Sequence, residues 1–181
     1  MRHFLSSCVL WLLAGIAPAL PAITPPRASP EFALTRPGGS TILLSSLKGK
    51  VVVMAFLFAR SAHCMRVAQL LNKLQAGLGP QGLQSVGVVF DPPNGAVTTG
   101  AQIDAMVSYF KLTYPMAYTS KDSVDSYLSR APTEVLNIPQ VVVIDRKGAI
   151  RAASGGRGGN PLLEDEDALR ALVDGLLKEK N

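Results

Sequence analysis

Between residues 51 and 91 the hydrophobic pattern changes period twice. VVVMAFLF (51–58) is an unbroken run of β-branched and aromatic residues, the pattern of a strand buried on both faces. After Ser61, the apolar residues Val67, Leu70, Leu71, Leu74 and Leu78 recur at helical spacing, and Gly79-Pro80 stops the helix. LQSVGVVFD (83–91) predicts a second buried strand, followed by a Pro-Pro-Asn-Gly loop and a helix with Ile103, Met106, Val107 and Phe110 on one face. A short strand over 114–118 and a short helix over 122–129 come next. IPQVVVID (138–145), the turn Arg146-Lys147-Gly148 and AIRAAS (149–154) predict a hairpin. The last helix, from about Glu164 to Lys178, is acidic at its start and basic at its end, as the helix dipole favours. Upstream, FALTRPGGSTILLSS reads as a further hairpin turning at Pro37-Gly38-Gly39. Strands alternating with helices predict an α/β sandwich on a central mixed sheet.

The opening segment is different. MRHFLSSCVLWLLAGIAPALPA places a basic residue, an apolar stretch of about a dozen residues and a small-residue end in the order of a secretory signal peptide. Ala17-Pro18-Ala19 and Ala22 offer cleavage points. The apolar stretch, broken by Pro18 and Pro21, is short of the roughly 20 residues that span a bilayer, so membrane contact is expected only through this segment if it stays uncleaved. Leu5-Ser6-Ser7-Cys8 looks like a lipid-attachment box but lacks the hydrophobic run that should precede it. The expected organisation is a signal peptide over 1–22, an extended Pro-rich leader over 23–31 and one domain over 32–181. The destination is the periplasm or the cell exterior.

Removing that segment also removes Cys8. A single thiol, Cys64, then enters an oxidising compartment, so an internal disulfide is impossible. The formal charge of +5 falls to +4 without Arg2 and is scattered along the chain, which gives no footprint for nucleic acid. Neither a cofactor nor a metal is expected: His63-Cys64-Met65 are consecutive helical residues whose side chains diverge. Ser154-Gly155-Gly156-Arg157-Gly158-Gly159-Asn160 has no phosphate-loop lysine at the required spacing and reads as a strand-to-helix connection.

The order of three stretches carries a resemblance. They are Phe32-Ala33-Leu34 with Gly38-Gly39 and Leu47-Lys48-Gly49-Lys50-Val51-Val52-Val53, the strand-to-helix junction ending in Cys64, and Ile138-Pro139-Gln140-Val141-Val142-Val143-Ile144-Asp145-Arg146-Lys147-Gly148. Together they resemble the thioredoxin superfamily, in its secreted TlpA-like thiol-disulfide branch and the related AhpC/TSA (redoxin) family. The resemblance implies a thioredoxin-like fold with an N-terminal β-hairpin. It also implies that Ser61 stands where TlpA-like proteins place the attacking cysteine of Trp-Cys-x-x-Cys, and Arg60 where they place the tryptophan. A serine hydroxyl does not exchange with disulfides as a thiolate does, so ordinary dithiol reduction by this domain alone is excluded. Peroxiredoxin sites likewise carry a hydroxyl three residues before the reactive cysteine, as Ser61 stands to Cys64, but their proline and arginine are missing here. Ala55 replaces the buried acid of many thioredoxins. Pro139 takes the place of the proline that the family holds in cis beside the site, with Ile138 facing the thiol.

Each candidate residue has two readings. Cys64, in the first turn of a helix beside His63 and Arg60, is either an activated thiolate of lowered pKa or a small buried hydrophobe. Ser61 orients its sulfur, caps the helix, or both. Arg60 stabilises negative charge; His63 borders the groove or faces solvent; Ile138 and Pro139 shape the groove. Two functions follow. One is a secreted one-cysteine oxidoreductase or antioxidant peroxidase, whose Cys64 attacks a peroxide or a partner's disulfide and needs an external thiol reductant. The other is an inactive thioredoxin-like domain binding an extended peptide or protein partner. Exposure of the Cys64 sulfur distinguishes them.

Overall fold

The computed structural model describes residues 26–92, 95–155 and 160–179; the segment expected to be a signal peptide, and with it Cys8, lies outside them. Eight strands form one mixed sheet in the order β1-β8-β7-β4-β5-β6-β2-β3. They are β1 (Arg27–Ala28), β2 (Ala33–Thr35), β3 (Thr41–Leu43), β4 (Val51–Leu57), β5 (Leu83–Val89), β6 (Met116–Tyr118), β7 (Gln140–Ile144) and β8 (Ala149–Ala153). Four helices join them: α1 (Ala62–Leu78), α2 (Gly100–Phe110), α3 (Lys121–Tyr127) and α4 (Glu166–Lys178). The strands β4, β5 and β6 are parallel, and β7 runs antiparallel to β4. The α/β architecture expected from the alternating pattern is the one found.

All seven residues of β4 are buried, and their alternation divides the core. Val51, Val53, Ala55 and Leu57 face a cluster built with Leu71 and Leu74 of α1, Ile103 of α2 and Leu169 and Val173 of α4. Val52, Met54 and Phe56 face the other side, with Phe32, Leu34, Val124 and Tyr127. On that side Phe56 touches the rings of Phe32 and Tyr127, at centroid separations of 5.9 and 5.7 Å. The hairpin β2–β3 turns where the sequence places it, with Gly39 at a φ of +82° that favours glycine. Several boundaries differ from expectation: β6 begins at Met116 rather than Tyr114, and α3 runs Lys121–Tyr127 rather than 122–129. Arg27–Ala28, in the stretch read as an extended leader, pair with Ile150 and Ala149 as β1. The last helix begins at Glu166, because the Asp165 side chain accepts from the Ala168 N–H and caps it there.

No helix among the described residues is long and apolar enough to cross a membrane. Replacing Phe56 with Ala would remove the ring between Phe32 and Tyr127, and is expected to cost about 3–5 kcal/mol. A urea titration would read this as a lowered midpoint.

Candidate functional site

The sequence-predicted site residues meet at one end of the sheet through strand register. β4 pairs with β7 up to Phe56 opposite Gln140. The chain leaving β4 as Phe58–Ser61 therefore lies at the same end as the chain entering β7 through Ile138 and Pro139. The Ile138–Pro139 bond is cis. Pro139 is buried and Ile138 half-buried, and both Phe58 and Ile138 pack against the two core clusters.

Ser61 caps α1: its hydroxyl accepts from the Cys64 N–H at 3.3 Å, and its backbone is extended. Cys64 is 0% exposed and packs in the helical core cluster. Its sulfur accepts a hydrogen bond from the Phe58 N–H at 3.3 Å, while the Phe58 carbonyl accepts from the Ser61 N–H at 3.2 Å. Both polar backbone groups of Phe58 are thus committed to the turn. Neither is left to extend the β4–β7 ladder to Ile138.

The electrostatics bear on the two readings of Cys64. Burial pushes the Cys64 thiol up from its ordinary pKa; the Ser61 hydroxyl and the Phe58 N–H favour the thiolate by less, and the Glu164 carboxylate opposes it further. The lowered pKa that the activated-thiolate reading requires is not found, because desolvation outweighs the bonds that favour the thiolate. The basic surroundings expected from His63 and Arg60 are corrected as well. His63 is half exposed and pairs through Nε2 with Glu164, and Arg60 stands exposed in the turn. The formal charge acting on the sulfur is negative, from Glu164. Sequence reasoning assigned Glu164 to the last helix; its pairing with His63 spans 101 residues, and no local pattern announces it. Ala55, where a buried acid was expected to be missing, is fully buried opposite Val141. Among the described residues no group of three or more His, Cys, Asp or Glu is placed to hold a metal.

The AhpC/TSA family pattern matches residues 26–153. The chain belongs to the AhpC/TSA family. This AhpC/TSA protein also shares its fold with solved thioredoxin-like structures. One is a candidate protein disulfide isomerase from Bacteroides thetaiotaomicron, at 25% identity and a TM-score of 0.64, covering 84% of this chain and 89% of that one. Another is a thiol:disulfide interchange protein from Chlorobium tepidum, at 17% identity and a TM-score of 0.67, covering 86% and 99%. A third is a secreted disulfide oxidoreductase from Mycobacterium tuberculosis, at 18% identity and a TM-score of 0.61, covering 80% and 96%. No curated protein matches the chain. The thioredoxin-like fold that the sequence resemblance implied is therefore the fold of this family member.

Two variants test the local argument. Ser61→Ala removes the cap of α1 and is expected to cost about 1 kcal/mol, measured by chemical denaturation. Cys64→Ala leaves the Phe58 N–H without its acceptor, at about 1–3 kcal/mol. The raised thiol pKa also gives the wild type a pH dependence that Cys64→Ala lacks. The native state holds the proton more tightly than the unfolded chain, so this stabilisation is complete below the unfolded thiol pKa of about 8.5. It is lost as pH rises from there through the folded value. Denaturation midpoints across that alkaline window are expected to fall more steeply for the wild type.

Proposed function

We propose that this AhpC/TSA protein is exported and works without thiol turnover, by holding an extended segment of a partner protein against the Ile138–Pro139 edge. The burial of Cys64 carries this reading. A one-cysteine reaction on peroxide or disulfide requires the sulfur to meet its substrate as a thiolate, and here the thiol is enclosed, raised in pKa and used as a hydrogen-bond acceptor. Ser61 stands half-buried at the helix terminus where an attacking cysteine would act. A partner's cysteine brought to that point meets a hydroxyl, and the encounter remains non-covalent. Because the Phe58 backbone is committed to its own turn, Ile138 lies beyond the last paired position of β7, where an extended chain can add alongside it. Export rests on the order of charged, apolar and small residues over 1–22.

The test is native-state alkylation of signal-free protein by iodoacetamide, with Cys64→Ser as the blank. Cys64 is expected to stay unmodified at neutral pH until the protein is denatured. Rapid native alkylation, with a sulfenic acid trapped after peroxide is added, would overturn the reading in favour of the one-cysteine enzyme. Ser61→Cys, which restores a Cys-x-x-Cys pair, is expected to gain an insulin-reducing activity that the wild type lacks. For binding itself, short extended cysteine-bearing peptides are expected to shift the amide resonances of 58–61 and 137–140 in labelled protein. If no peptide moves them, the binding reading fails.

A further inference from the structure

The chain reaches the Ile138–Pro139 edge through residues 131–137, and 131–135 are all exposed. Two cations hold this segment by its carbonyls. Lys121 Nζ donates to the Pro132 carbonyl at 3.3 Å, and Arg130 Nη2 to the Val135 carbonyl at 2.6 Å. Both cations converge on one carboxylate. Lys121 pairs with Asp125 Oδ2, and Arg130 Nε lies 3.9 Å from Asp125 Oδ1. The Asp125 and Arg130 side chains are only 3% and 4% exposed. Backbone geometry builds the same junction: Ser129 adopts a φ of +54°, and the Arg130 N–H donates back to the Asp125 carbonyl at 2.8 Å. Glu134 adds a second carboxylate at the same 3.9 Å distance from Arg130, at the exposed end where water screens it.

The segment itself supplies little. Its end is anchored by Leu136, which packs against the core, and by Gln140, which donates to the Asn137 carbonyl at 2.6 Å; over the five exposed residues 131–135 the holds from outside the segment are the two charge-assisted bonds to its carbonyls. Those donors in turn need Asp125. Without that charge the buried Arg130 keeps only the half-exposed Glu134, and losing the buried partner costs more than the pair itself stabilises. One carboxylate on α3 thereby fixes the approach to a site formed by other elements.

We propose that Asp125 is a positioning residue for the Ile138–Pro139 edge, acting through Lys121 and Arg130 on residues 131–137. Its functional meaning rests on the reading of that edge as the binding site, but its test uses no ligand and so fails or succeeds separately from that reading. In Asp125→Asn, backbone order parameters over 131–137 are expected to fall from about 0.85 toward 0.6 while those of β4 and β5 hold, and the carbonyl carbon resonances of the two acceptors, Pro132 and Val135, to move. Asp125→Asn combined with Arg130→Met removes the buried charge that has lost its buried partner. Its denaturation midpoint is expected to recover toward that of the wild type while the segment stays loose. Three results would each overturn the proposal: unchanged order parameters over 131–137 in Asp125→Asn, a fall matched in β4 and β5, or a segment made rigid again in the double variant.

Discussion

The burial of β4 on both faces is the constraint from which the rest of the molecule follows. A seven-residue strand with no exposed side needs cover above and below. Its odd and even positions consequently recruit separate sets of partners: three helices on one side, and α3 with the N-terminal hairpin region on the other. The parallel neighbour β5 and the antiparallel neighbour β7 fill its hydrogen-bonding edges. Where β4 runs out, the chain must leave a fully enclosed position and start α1 at once. The candidate site is that exit.

At the exit, a helix terminus, a hydroxyl and a thiol come together around a backbone turn. The helix N-terminus, the capping hydroxyl and the cis-proline are all in place, but the only cysteine among the described residues has been drawn inward. Its sulfur serves the backbone, taking the Phe58 N–H that the shortened ladder would otherwise leave without a partner. The desolvation that makes Cys64 a good packing atom also holds it in the neutral form. Packing and ionisation make opposite demands on the same atom.

Much of the fold was legible because its cause is periodic. The two buried strands, the leucine-faced helix α1 and the Gly-bounded hairpins each repeat a short-range pattern, and they appear within a residue or two of their expected limits. The site was legible only where it is local: Ser61 as a cap three residues before Cys64, and Pro139 at the mouth of β7. What could not be read depends on residues distant in sequence. The pairing of His63 with Glu164 is made by α4 settling against α1, and the direction of the Cys64 pKa depends on how completely other elements enclose it. β1 was missed for a related reason, since two residues carry no period, and only β8 beside them makes them a strand.

The enclosure of Cys64 also bears on the setting in which the domain works. A protein whose disulfide is part of its architecture changes covalent state with the ambient reduction potential, and its stability changes with it. Among the described residues there is no such bond, and the thiol lies inside the core that holds the sheet together. The packing described here thus rests on no bond that the ambient reduction potential makes or breaks.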